Sequence, residues 1–284
     1  MTIFLIYLKA ALILITGIQL IFLIHFQLSP TITTSEKKFT QNTLYTTSKM
    51  EEKFNPNLSY LNTMSKLEEY FLLEIGRKEL QGKEIVSFAD NLIRDRFMHD
   101  DAFIRLKDNW ILHAFNFFTP HRDDTTYLSS LNPDYILKFD GAICNQQAII
   151  FQQLMKAYNL DYQSVLFNIP RSPEPFGHFA SAVKVNNEWI FIDTNLEPQY
   201  DSGDTKILDA LLGGDVHLFN HLYPSYKVEE IPKGSIRADH ANQNPAFYGR
   251  IFQDFCYFLS WYGWAASLIC YFLISRLKKK FIEI

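Results

Sequence analysis

Residues 178–193 read HFASAVKVNNEWIFID, and the pairing within this stretch decides how the chain folds. Two runs rich in β-branched and aromatic residues, 178–185 and 188–193, flank Asn186 and Asn187. Asparagine tolerates positive φ, so the two form a two-residue hairpin loop. Val185 then pairs with Glu188, Asp193 faces Ala180, and His178 faces Asn195. His178 and Ala180 share a face, which makes His178 and Asp193 diagonal neighbours on one side of the sheet. Such neighbours lie about 7–8 Å apart at the backbone, within reach of an imidazole and a carboxylate. A loop one residue longer or shorter would put them on opposite faces.

Upstream, residues 140–147 read DGAICNQQ and hold the single cysteine between two long apolar segments. Ala148, Phe151, Leu154, Met155 and Tyr158 then repeat at three and four, so the spacing predicts a helix from Cys144 to near Asn159. A helix N-terminus favours a thiolate, and a nearby imidazolium favours it more strongly. A carboxylate beyond the imidazole fixes its tautomer. Nucleophile, base and orienting acid in that order are what acyl transfer through a thioester requires. Backbone N–H groups at the helix start, including that of Cys144, would hold the oxyanion. The plain alternative is that Cys144 is a small buried apolar residue.

Gly141-x-x-Cys144 leading into an apolar helix, the His178-Phe179-Ala180 strand and the Trp189-x-x-x-Asp193 strand together resemble the transglutaminase-like superfamily. These are papain-fold cysteine acyltransferases and hydrolases, and the resemblance covers about residues 133–198. It implies Cys144 as nucleophile, His178 as base and Asp193 as orienting acid. The fold it implies is α+β: a papain-like core with a Cys-bearing helix packed on an antiparallel sheet. The papain-type oxyanion glutamine has no counterpart here, since Lys138 stands six residues before Cys144. Trp110 is a candidate for the oxyanion part that an upstream tryptophan plays in true transglutaminases; its other reading is a core tryptophan on a helix face. The superfamily also includes binding modules, so a catalytically inactive scaffold in an envelope assembly or export complex stays open beside the enzyme.

Two apolar segments flank this core. Residues 10–26 carry no formal charge, and neither do residues 255–275. Each is long enough to cross about 30 Å of hydrocarbon at roughly 1.5 Å per residue. The first reads as an uncleaved anchor or a signal peptide, and no small-x-small cleavage site follows it. Arg276, Lys278, Lys279 and Lys280 close the second, and such a basic cluster stays on the cytoplasmic side. The expected scheme has an N-terminal transmembrane anchor (1–28), a juxtamembrane linker (29–62) and a transglutaminase-like domain (63–245). A C-terminal transmembrane helix (251–276) and a basic cytoplasmic tail (277–284) complete it, with the domain on the periplasmic or extracellular side.

Between residues 29 and 250 the chain holds 22 of its 27 Lys and Arg and 29 of its 31 Asp and Glu, a formal charge of about −7. No basic stripe tracks a polyanion, which argues against nucleic acid. Cys256 and Cys270 lie in the second apolar segment, so Cys144 has no disulfide partner in the domain. His217, His221 and Asp215 lack the third strong ligand that zinc needs; no metal and no cofactor is expected. Ser65-Lys66-Leu67-Glu68 fits a capping box. Helices are expected to follow it and over 84–97 and 103–117, residues 204–222 look helical with a break at Gly213-Gly214, and 232–244 reads as a connector. The partners that fit are the lipid bilayer and an envelope peptide, protein or polysaccharide bearing an amide or ester.

Overall fold

In the computed structural model of the chain, Val185 pairs with Glu188 and Ser181 with Ile192, the register read from the sequence. Asn186 and Asn187 both take positive φ, 52° and 67°. The structure describes residues 2–28, 54–119, 127–170, 175–195 and 204–282. Their elements run α1 (Thr2–Leu28), α2 (Met64–Lys78), α3 (Lys83–Arg96), α4 (Trp110–Phe118), α5 (Pro133–Ile136) and α6 (Cys144–Ala157). Then come β1 (Tyr162–Ile169), β2 (Phe176–Val185), β3 (Glu188–Ile192), α7 (Lys206–Leu212), α8 (Val216–Leu222), β4 (Ile236–Ala238) and α9 (Phe247–Ile282).

Two units form. One comprises Thr43–Ala102 and Ser130–Phe247, and holds a four-stranded antiparallel sheet of order β3-β2-β1-β4. Because strand residues alternate between faces, each face collects its own apolar set. Val183, Val185, Ile190 and Ile192 join Phe71, Ile93, Phe151 and Leu154 from α2, α3 and α6. Val165, Phe167, Ala180 and Phe191 join Leu208, Leu211, Phe219 and Leu222 from α7 and α8. Gln152 pins α6 to the sheet: fully buried, its Nε2 donates to Ser181 Oγ at 2.9 Å and Ser164 Oγ at 3.3 Å.

Several elements depart from the sequence reading, each for a local reason. Thr63, not Ser65, caps α2, its Oγ1 accepting from Lys66 N at 3.3 Å. Part of the expected linker belongs to the folded unit: Leu61 is buried, and its carbonyl accepts from Arg96 Nε. Residues 29–53 lie outside the described residues. The helix expected from 103 starts at Trp110, because Asn109 caps it and Phe103 instead bridges to Ser129. The expected connector contains β4, which pairs with β1.

The other unit comprises Met1–Asn42, Phe103–Ser129 and Tyr248–Ile284, so residues 103–129 group with the apolar helices rather than with the sheet. α1 and α9 contain two segments long and apolar enough to cross a membrane, Phe4–His25 and Phe247–Arg276. They meet at a polar contact of small residues. Thr16 Oγ1 lies 2.7 Å from Ser267 Oγ, and a Cβ on Gly263 would come within 2.7 Å of Gln19 Nε2. Trp110 stacks on Phe22 at 4.9 Å between ring centres.

Arg96 ties the approach to α6. Only 1% exposed, it donates to the carbonyls of Leu61 and Leu137 and to Asp140 Oδ1. Arg96→Met keeps the bulk but strands two buried carbonyls, and is expected to lower unfolding free energy by about 2–4 kcal/mol. Chemical denaturation of the full chain in detergent micelles checks this; an unchanged midpoint would contradict it.

Candidate active site

The loop before Cys144 is held from both sides. Met98 N–H donates to the Asp140 carbonyl at 2.8 Å, and Ala142 N–H donates to the Met98 carbonyl at 3.0 Å. Between them Gly141 passes so close to Asp100 that a Cβ would lie 2.7 Å from Asp100 Cβ, with the Asp100 carbonyl oxygen at 3.2 Å. Only glycine permits that approach, which is the physical reason for glycine in Gly-x-x-Cys. Gln146 fixes the helix start itself. Its fully buried amide accepts from Ile143 N and Ala102 N, and donates to Asp101 Oδ1 and to the carbonyls of Ala102 and Ser130. Cys144 emerges as the first residue of α6, half-buried.

The hairpin delivers the next two groups. His178, near the start of β2, and Asp193, just past β3, meet with His178 Nε2 2.7 Å from Asp193 Oδ2. Asp193 is wholly buried and His178 is 7% exposed. A carboxylate so buried needs donors. Asp193 Oδ2 also accepts from Tyr223 Oη at 2.7 Å, and Oδ1 from Asn195 N at 3.1 Å. Arg94 adds its positive charge nearby and donates to the Asp193 carbonyl. Phe167, Phe176 and Tyr223 ring His178 at 5.6–5.7 Å between ring centres, keeping water from the pair.

Burial alone pushes the His178 imidazolium toward losing its proton. The Asp193 carboxylate and the bond to it, followed by the bond to Cys144, outweigh burial and raise the ring from 6.5 to about 10. Burial likewise pushes Asp193 up, and His178, then Arg94 and the Tyr223 bond, hold it below the usual carboxylate value. With Nε2 committed to Asp193, Nδ1 is the ring nitrogen left to exchange a proton with the thiol. The order Asp193, His178, Cys144 is therefore a continuous polar chain ending at a helix N-terminus.

Sequence reasoning missed several supporting groups. Tyr223 ends α8 thirty residues after Asp193, where no pattern pointed to the hairpin. Asn195 was within reach, since the register placed it opposite His178; its side-chain N–H donates to His99 Nδ1 at 2.8 Å. Asn145 Oδ1, Gln147 Oε1 and Asn195 Oδ1 are buried with no hydrogen-bond partner among the described residues. Trp110 is differently occupied: its indole N–H donates to the Ser260 carbonyl at 3.1 Å, in the unit of the apolar helices. That bond uses the one donor an oxyanion role would need. His217 and His221 share α8, and Asp215 caps it by accepting from Leu218 N.

An α+β core in which a cysteine-headed helix lies on an antiparallel sheet is a transglutaminase-like fold. The chain belongs to the transglutaminase-like domain family, whose profile matches residues 29–204 and so includes Cys144, His178 and Asp193. Neither a curated protein nor a solved structure gives a significant match.

A raised His178 value carries a sign for stability. Its contribution is fully present below 6.5 and is lost as pH rises through about 10. The difference in unfolding free energy between the wild-type chain and His178→Ala is expected to shrink steadily across that window. Denaturant titrations in detergent at a series of pH values measure it, and a difference that grows with pH would contradict the charged-pair assignment.

Proposed function

We propose that the protein is a membrane-anchored cysteine hydrolase or acyltransferase acting on an amide or ester of the cell envelope. The observation that carries the reading is the unbroken chain from buried Asp193 through His178 to Cys144 at the start of α6. In it, the Cys144 thiol proton passes to His178 Nδ1, and sulfur attacks the acyl carbon. The oxyanion is met by backbone N–H groups of the first turn of α6, which a helix leaves without intrahelical partners. As the carbon–nitrogen or carbon–oxygen bond breaks, His178 returns the proton to the leaving group. The acyl group then sits on sulfur as a thioester. Water, deprotonated by His178, resolves it in hydrolysis; an amine or hydroxyl acceptor does so in transfer. Water is the favoured acceptor, since no group among the described residues marks an amine site. Asp193 stays ionised throughout and holds the imidazolium.

The two apolar helices support a two-span anchor, and the basic cluster from Arg276 to Lys280 supports a cytoplasmic C-terminus with the domain outside. A reporter fused at the C-terminus is expected to read inside.

The test uses p-nitrophenyl acetate as acyl donor and mass spectrometry of the quenched chain. Acetylation of Cys144 and turnover are both expected in the wild type. Cys144→Ala and His178→Ala should each lose turnover by on the order of 10³–10⁴-fold while keeping the wild-type circular dichroism spectrum. Full turnover in either variant rules the mechanism out. Failure of the wild type to acylate, with function in cells retained by Cys144→Ala but lost on deletion, would leave the scaffold reading.

A further inference from the structure

Residues 103–118 trace a dip along α9. Phe103 bridges to Ser129, and the Ser129 and Tyr127 carbonyls accept from Gln253 Nε2. The chain then descends to a turn at 105–108, closed by Asp108 N–H to the Arg105 carbonyl, where Trp261 Nε1 donates to the Asp108 carbonyl at 2.9 Å. Next, Trp110 Nε1 donates to the Ser260 carbonyl and Ile111 N to Ser260 Oγ. α4 then climbs back until Phe115 packs on Phe252 at 4.8 Å. Asn109, which ends the turn, donates to the Gln253 carbonyl and accepts from Ser260 Oγ, so the turn lies between the levels of Gln253 and Trp261.

The depth of that level follows from the helix pairing. α1 and α9 run antiparallel: Thr16 meets Ser267, Gln19 meets Gly263, and Phe22 reaches the Ser260 level through Trp110. About 20 helical residues cross 30 Å of hydrocarbon. Counted back from Arg276, the hydrocarbon ends near Tyr257 in α9, which is the level of His25 in α1. Ser260 and Trp261 lie about 5 Å inside that edge. The turn at 105–108, bonded by Trp261 and followed by Asn109, which bonds both Gln253 and Ser260, lies at that edge, and its apolar Leu106 is 45% exposed.

We infer that the turn at 105–108 is inserted in the bilayer leaflet at the C-terminal end of α1, with Leu106 among the acyl chains. The inference rests on α1 and α9 being membrane spans. Composition fits a lipid occupant. Arg105 and Asp108 pair at 2.7 Å, which lowers the cost of their charges at that depth, and Lys107 has the reach to carry its ammonium to the phosphates. Trp110 and Trp261 flank the turn with both indole N–H groups bonded to backbone carbonyls, so neither donor is left unmet beside acyl chains. Phe22 and Ile24 of α1 and Phe255 and Phe258 of α9, at the same end of the two helices, are exposed as Leu106 is. The segment is thus a third membrane contact beside the two spans.

The test is a nitroxide at Leu106→Cys in the full chain with Cys144, Cys256 and Cys270 changed to Ser, reconstituted in phosphatidylcholine–phosphatidylglycerol vesicles. Power saturation compares collisions with oxygen and with a nickel chelate, with Ile269→Cys as the lipid reference and Glu69→Cys as the aqueous one. Leu106 is expected to favour oxygen as Ile269 does. A nickel-accessible Leu106 beside an oxygen-favouring Ile269 overturns the inference alone; a nickel-accessible Ile269 overturns the spans with it. The wild-type chain supplies a check that needs no substitution. A phosphatidylcholine bearing a diazirine near its carbonyls should label the peptide containing residues 105–111, and labelling of α1 without it would overturn the inference.

Discussion

One carboxylate sets the terms for the sheet-bearing unit. Asp193 has no exposed surface, so its charge survives only if donors and cations surround it. They come from four places in the chain: His178 from β2, Tyr223 from the end of α8, Asn195 from the turn after β3, and Arg94 from the last turn of α3. The hairpin register, the seating of α8 on the sheet and the position of α3 are therefore tied to one another through a single side chain. Losing any one donor leaves a buried charge short of compensation, which costs more than the missing bond itself.

The cysteine side is built by neutral polar pins instead. Gln146 holds the residues before the helix, Gln152 registers the helix against β1 and β2, and Gly141 lets the loop press on Asp100. A thiol that must meet an imidazole at bonding distance tolerates little drift, and buried amides with fixed partners fix a helix more tightly than apolar contact does. The Asn-Gln-Gln run after Cys144 thus has a structural use for its first glutamine: its side chain accepts from the Ile143 N–H that precedes α6.

What could be read in advance follows from where the information is local. Asn186-Asn187 fixes the loop length, loop length fixes register, and register fixes the face shared by His178 and Asp193. Helical spacing after Cys144 is equally local. β1 escaped because it is covered on both faces: its burial shows no alternation that would set it apart from any apolar run. β4 has three residues, too few to show a period. Tyr223 and Arg94 reach Asp193 only through tertiary packing, and no spacing encodes that. Residues 103–129 leave the sheet-bearing unit through bonds from Asn109, Trp110 and Tyr127 to α9, pairings more than a hundred residues apart in sequence.

The central claim is that Asp193 and His178 together keep Cys144 ready to react. The most direct measurement is the rate at which iodoacetamide alkylates Cys144 in the full chain at pH 6, followed by mass spectrometry of its peptide, in the wild type and in His178→Ala. Proton transfer from the thiol to the ring predicts a rate about tenfold or more higher in the wild type. Equal rates in the two chains, with both folded, would contradict the account.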